Sequence, residues 1–454
     1  MKAGKYEIDM CNGSIMDKLI SFSLPLMLSS ILQLMFNAVD IIVVGRFSGS
    51  QSLAAVGSTT ALINIFTNLF IGISLGANVL AARYYATDQK KEMSEAVHTA
   101  IALALISGIL MAFVGLFASK FALELMATPD DVIDLSAVYM RIYFMGMPFF
   151  MLYNYGAAIL RAVGDTKRPL AFLILSGLAN VVLDLLLVIV IPLNVAGVAI
   201  GTVTSQMISC ILVLRCLYKS EGSYQLRFSK LTIKKLYLKR IFQVGIPAGI
   251  QSTVINFSNA LLQSSVNSFG ATAMAGYTAA NNILGFLYAA VNAVTQACMS
   301  FTSQNFSVGK AKRMDRVLMD CVFLSVGVSV VLGVGAYVFG NQILTIYTTD
   351  ANVIQCGLEI LSITTVPYFL CGIMDLLPGA LRGTGHSAVP MILSIIGTVG
   401  TRILWIYVFF PQNRTLHFLF ISYPASWIAT ILMQAVCYYF VRKRCLQQIQ
   451  ASLH

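Results

Sequence analysis

The chain has 454 residues, of which 57% are hydrophobic and only 11% are charged. Soluble domains carry about 25% charged residues, so the composition excludes an ordinary soluble protein and points to a polytopic membrane protein. Its apolar runs reach about 20 residues or more, which suits membrane-spanning α-helices and not the ~10-residue alternating strands of a barrel. The net charge of +11 raises nucleic acid as a partner, a reading that the placement of the charges argues against.

The first residues, MKAGKYEIDMCNGSIMDKL, stay polar for too long to form a cleavable signal. Twelve spans are then predicted, at approximately 15–44, 53–81, 96–118, 136–162, 170–191, 195–217, 241–267, 273–301, 317–340, 353–381, 388–410 and 416–441. The first, LQLMFNAVDIIVVG, places Gln33, Asn37 and Asp40 on one stripe. Asn64 and Asn68 lie in the second. The fourth, FFMLYNYGAAILR, holds Asn154, and the fifth, LANVVLDLLLVIVIPL, holds Asn180 and Asp184, four apart on one face. The seventh has no acid but carries Gln251, Asn256, Asn259 and Gln263; the tenth has Asp375 and the eleventh Arg402. Pro25, Pro148, Pro247 and Pro367 fall inside spans, where each removes a backbone hydrogen bond and can bend its helix.

Of the 30 Lys and Arg, 25 lie on one side of this scheme, including the cluster from Arg215 to Arg240 and Arg442, Lys443 and Arg444. The acidic group Glu124, Asp130, Asp131 and Asp134 falls on the other. By the positive-inside rule both termini are cytoplasmic, and the basic loops face anionic lipid and not nucleic acid. Nine scattered cysteines without a CxxC pair read as small buried hydrophobes. The four isolated histidines suggest no metal site, and no nucleophile–histidine pair or phosphate loop suggests an enzyme.

The segment ILRAVGDTKRP (159–169) recurs as ALRGTGHSAVP (380–390), with Arg161/Arg382, Gly164/Gly385 and Pro169/Pro390 offset by 221. Pro25/Pro247 and Phe47/Phe269 repeat at 222, and Lys91/Lys312 at 221. The chain therefore divides into an N-lobe (1–217), a basic cytoplasmic linker (218–240) and a C-lobe (241–454). Six spans is an even number, so both lobes enter the membrane in the same sense and should be related by a pseudo-two-fold axis along its normal. This is a plan used by secondary transporters.

An acid at the bilayer centre costs roughly 2.5–3.5 kcal/mol on insertion scales and ordinarily serves ions or protons. Asp40 and Asp184 are thus the leading candidates for a coupling site, able to hold a proton or, with amide oxygens, Na⁺. One charge crossing about 100 mV yields about 2.3 kcal/mol, enough for a roughly 40-fold substrate gradient. Asp375 occupies the repeat position of Asn154, and Asp375 with Arg402 forms either a structural pair or a second site. Gln33, Asn37, Gln251 and Asn256 are candidates to line a substrate cleft.

Pro25, Asp40, Asn154, the Asn180-x-x-x-Asp184 pattern, and the segments GRFSGSQSLAAVG and LRAVGDTKRP together resemble the multidrug and toxic compound extrusion (MATE) transporters. The resemblance covers nearly the whole chain. It implies a monomeric inner-membrane antiporter that exports cationic amphipathic drugs against H⁺ or Na⁺ and needs no cofactor beyond that ion. It maps the N-lobe cation site onto Asp40, Asn154, Asn180 and Asp184. Some relatives use a C-lobe acid pair, of which only the tenth-helix member, Asp375, is present here. The wider superfamily also contains flippases for lipid-linked oligosaccharides, and a flippase for a lipid or lipid-linked oligosaccharide is the alternative reading.

Overall fold

The computed structural model describes residues 6–126 and 128–451, the side chains of residues 50 and 451 excepted. These residues form helices α1 (Ile15–Phe47), α2 (Gly49–Ala86), α3 (Lys90–Leu125), α4 (Asp130–Met145), α5 (Met147–Ala162), α6 (Lys167–Leu185) and α7 (Asn194–Lys219). After the linker come α8 (Lys235–Asn267), α9 (Ala271–Ser307), α10 (Ala311–Val338), α11 (Gly340–Leu344), α12 (Ala351–Thr364), α13 (Tyr368–Gly383), α14 (Ala388–Ser394), α15 (Thr401–Leu404), α16 (Leu416–Phe420) and α17 (Ser422–Ala451). Three π-helical stretches, Leu186–Val190, Ile395–Gly400 and Trp405–Phe409, interrupt the fifth and eleventh spans.

Nine described helical segments are long and apolar enough to cross a bilayer, or eleven when each of two bent pairs is taken as one span. The remaining expected span is α8, 33 residues long, whose amides Gln251, Asn256, Asn259 and Gln263 make it less apolar. The bends fall where the sequence places prolines. Between α4 and α5 the chain turns by 45° at Gly146, with Pro148 beginning the next turn, and between α12 and α13 it turns by 53° before Tyr368, next to Pro367. A proline lacks the N–H that would carry the helix through. Pro25 and Pro247, by contrast, lie within the continuous helices α1 and α8.

The chain forms two compact units. Unit 1 comprises residues 1–9 and 28–249, and unit 2 residues 10–27 and 250–454. Unit 1 packs α2, α3, α4, α5 and α7 about a core that includes Met93, Ile101, Phe144, Met151 and Tyr155. Its close helix contacts depend on glycines: a Cβ on Gly108 would meet the Pro148 backbone, and one on Gly76 the Ile241 carbonyl. The linker belongs to this unit. Leu226 N–H donates to Leu217 O (3.1 Å), the Arg227 N–H donates to His98 Nε2 (3.0 Å), and Thr99 Oγ1 donates to Thr232 O (3.3 Å). The lone His98 is thus a structural acceptor that ties the linker to α3.

Unit 2 packs α9 against α10, α12 and α13, around Leu262, Tyr277, Leu361, Phe420 and Trp427. Phe22 meets Phe301 edge-on at 5.7 Å. Met10 is fully buried, and its carbonyl accepts from Asn305 Nδ2 at 3.0 Å.

Candidate functional site

The leading candidate lies in unit 1, where α1, α6 and α7 converge. Phe36 of α1 sits on Gly177 of α6 so closely that no Cβ would fit between them. One turn beyond Phe36 is Asp40, and two turns beyond Gly177 is Asp184, so this contact sets the register that brings the acids together. Their carboxyl groups are close neighbours. Asp184 is fully buried and Asn180 is 4% exposed.

Each acid has one neutral donor nearby. Asn180 Nδ2 lies 3.4 Å from Asp184 Oδ1, and Thr202 Oγ1 of α7 lies 3.4 Å from Asp40 Oδ2, while also reaching Val198 O at 2.9 Å. The second oxygens, Asp40 Oδ1 and Asp184 Oδ2, are buried without a hydrogen-bond partner among the described residues. A buried acceptor left unpaired costs about 1–3 kcal/mol, more if charged. A proton held on this pair would convert one acceptor into a donor aimed at the other. Tyr139 of α4 lies in the field of both acids, and its ring stacks on that of Tyr143 at 6.2 Å. Gly201 makes room for the pair, since a Cβ there would fall on Asp184 Oδ1. The π-helical turn Leu186–Val190 begins two residues after Asp184; such turns are frequent at functional sites.

Of the residues expected at this site, Asp40, Asn180 and Asp184 are adjacent. Asn154 is half-buried on α5 and donates to its own helix, at Phe150 O (2.8 Å), and to neither acid. Gln33 and Asn37 are exposed on α1, and Asn256 is exposed on α8. Thr202, Gly201 and Tyr139 are neighbours that the sequence reading missed; none is unusual in type for a membrane helix.

In unit 2 the expected Asp375–Arg402 pair does not form. Arg402 instead donates through Nη1 to Asn259 Oδ1 (2.7 Å) and through Nε to Ser426 Oγ (3.3 Å), and its guanidinium lies 4.3 Å over the Tyr423 ring. Asp375 lies beside Tyr288, and the cation that acts on it is Arg382. The physical reason is rotation: α14 passes into a π-helical stretch before Arg402, and the extra residue in that turn shifts the phase of the face that carries it. Gln251 is likewise not a free cleft amide, because it is buried and accepts from Arg382 Nη2 at 2.6 Å.

The MatE family model matches residues 25–186 and again 247–408, more than half of the chain. The second match begins and ends 222 residues after the first, the offset of the sequence repeat. The probable multidrug resistance protein YoeA of Bacillus subtilis (strain 168) is 28% identical over 433 residues, 93% of each chain. The multidrug export protein MepA of Staphylococcus aureus (strain MSSA476) is 24% identical over 384 residues, 83% of this chain and 84% of its own. Among solved structures, a MATE crystal structure in complex with MaL6 superposes with a TM-score of 0.89 at 20% identity, covering 97% of this chain and 98% of the other. An outward-facing multidrug resistance MATE transporter gives 0.88 at 20% identity, covering 99% and 100%. At that identity the structural likeness establishes the fold.

Proposed function

Since the chain belongs to the MATE family of multidrug efflux transporters, we propose that it is a proton-coupled antiporter exporting amphipathic organic cations by alternating access. In this reading it works as a monomer in the cell membrane, with both termini cytoplasmic. The relatives named as multidrug resistance and multidrug export proteins support the substrate class. The observation that carries the coupling is the contact between Asp40 and Asp184, each with one buried oxygen lacking a donor.

The chemistry follows from that contact. Two carboxylates side by side, one fully buried and one half-buried, repel, and one proton shared between them relieves both the repulsion and the unpaired acceptors. Loading the proton lets α1 and α6 stay together at Phe36 and Gly177; losing it drives the acids apart. Asp40 lies 15 residues beyond Pro25 on α1, so a change at the acids has a weakened helix to act upon. An organic cation entering the same field competes with the proton for the acids, which gives exchange in place of co-transport.

A proton is favoured over Na⁺ by the donor set. Asn154 and Asn180 both present N–H groups to oxygen acceptors. The amide oxygens are therefore not the atoms turned toward the acids, and the oxygens gathered at the pair are those of the two carboxyls and Thr202, fewer than the six or so that hard cations take. The test is export of a fluorescent organic cation from vesicles under separately imposed proton and sodium gradients. Export driven by the proton gradient alone is expected; export driven by sodium alone moves the coupling to Na⁺, and export driven by neither removes the antiport reading.

A further inference from the structure

Helices α14 and α17 of unit 2 enclose a groove of about 580 Å³. Along α17, Leu432, Val436 and Phe440 recur every four residues on one face and form one wall; all three are 59–64% exposed. Val389 and Leu393 of α14 form the other wall. The spacing of the walls is fixed from the buried side of α17, where Gln434 Nε2 donates to Pro390 O (2.6 Å) and to Ser394 Oγ (2.9 Å). The groove is therefore preformed.

Its lining is apolar except at one end, where Arg444 continues the same four-residue row. The basic run Arg442–Lys443–Arg444 is unevenly paired. Arg442 is neutralised by Asp315, to which its Nε and Nη2 donate at 2.7 Å each. The side chains of Lys443 and Arg444 are exposed and make no hydrogen bond or ion pair among the described residues. Leu432 lies twelve residues before Arg444, about 18 Å along the helix. Half of a bilayer's hydrocarbon core is about 15 Å, so the groove runs from headgroup level to the midplane, the reach of one acyl chain. A guanidinium at its mouth takes a phosphate in two-point contact, and the unpaired Lys443 beside it favours a headgroup of net negative charge.

The internal repeat shows that the fold does not need an apolar groove here. At an offset of 221, Ser426 corresponds to Ser205, Thr430 to Ser209 and Cys437 to Cys216. In the same register the groove residues Val389, Val436 and Phe440 correspond to Arg168, Arg215 and Lys219 of the first half. Three apolar side chains thus stand where the other half carries three cations.

We propose that this groove binds one anionic phospholipid, with an acyl chain between α14 and α17 and the phosphate on Arg444. In the orientation proposed above the site faces the cytoplasmic leaflet; the binding itself depends neither on that orientation nor on export.

The test uses the full chain in mild detergent, native mass spectrometry, and two lipids, dioleoylphosphatidylglycerol and dioleoylphosphatidylcholine, which share their chains and differ in net headgroup charge. The parent is expected to hold one phosphatidylglycerol in preference to phosphatidylcholine. Arg444→Gln should weaken phosphatidylglycerol binding at least about tenfold, the loss of a charge-assisted contact, and leave phosphatidylcholine within about twofold. Val436→Trp fills the groove and should lose phosphatidylglycerol to a similar degree, whereas Val331→Trp, at an exposed position of α10 outside the groove, should keep it. Equal binding of the two lipids by the parent, a result that needs no variant, overturns the proposal. So does unchanged phosphatidylglycerol binding in either groove variant, or an equal loss in Val331→Trp. Glycerol phosphate displacing the lipid would show an anion site without a chain, and a parent dimer that Val436→Trp converts to a monomer would assign the groove to a second copy of this chain; either result overturns the lipid assignment.

Discussion

Gly201 of α7 lies against the Asp184 carboxyl of α6 with no space for a side chain between them. The acid is buried because a neighbouring helix gives up a Cβ to accommodate it. Across the same gap the next residue, Thr202, reaches Asp40. A glycine and a threonine side by side thus serve the two acids in turn.

Gly201→Ala should therefore damage the acid site without touching either acid. The added methyl forces Asp184 to rotate or α6 and α7 to part, an overpacking cost of about 1–3 kcal/mol. Proton-driven export is expected to fall at least about tenfold while the protein still elutes as a folded species in detergent. Gly57→Ala is the control: a Cβ there meets nothing within 4 Å, and its export rate should stay within about twofold of the parent.

Asp184→Asn and Asp40→Asn keep shape and hydrogen-bonding capacity but cannot exchange a proton. Each is expected to abolish proton-driven export, with dansylcadaverine binding still measurable by fluorescence. Normal coupled export in either variant would take the coupling away from this pair. Asn154→Ala is expected to be milder, since among the described residues Asn154 bonds to its own helix at Phe150 and to neither acid.

Asp375 and Arg402 have separate partners, so their energies should be independent. In a double-mutant cycle with Asp375→Asn and Arg402→Gln, the thermal stabilities should add to within about 0.5 kcal/mol. A coupling of about 3 kcal/mol or more, typical of a broken buried pair, would show that the two residues form an ion pair after all.

Asp165, in the turn between α5 and α6, is fully buried, and its carboxylate pairs with Arg168. Burial pushes the Asp165 carboxyl above its ordinary range, with Arg168 opposing that shift. Arg168→Gln strands the charge and should destabilise the protein on the order of 3 kcal/mol at neutral pH. The sign with pH is fixed. A carboxyl whose pKa is raised on folding binds more protons when folded, so stability falls as pH rises through that window and recovers as pH drops. The variant's melting temperature should thus approach the parent's on acidification; a gap that widens in acid would contradict this.

How far the sequence could be read depends on whether a feature lies along one helix or between several. Asp40, Asn180 and Asp184 stand out because carboxylates and amides are costly in an apolar run, and the repeat follows from Arg161/Arg382 and Pro25/Pro247, which need no packing knowledge. The bends next to Pro148 and Pro367 were legible for the same reason. Gly201, Thr202 and Tyr139 were not, because nothing in their own helices distinguishes them from other small or aromatic residues; their importance comes from which helix they face. The pair of Asp375 with Arg402, one of the two readings open for these residues, does not form, because opposite charges on neighbouring spans meet only if both helices keep regular phase. The π-helical turns on either side of Arg402 break that phase, and no periodicity within the segment announces them.

The most direct test is flux of a fluorescent organic cation from vesicles containing the parent protein or Asp184→Asn, under a proton gradient alone. Export by the parent that stops in the variant, with binding of the cation retained, is the expected result. Equal export by both would show that the acid pair of unit 1 is not where the proton acts.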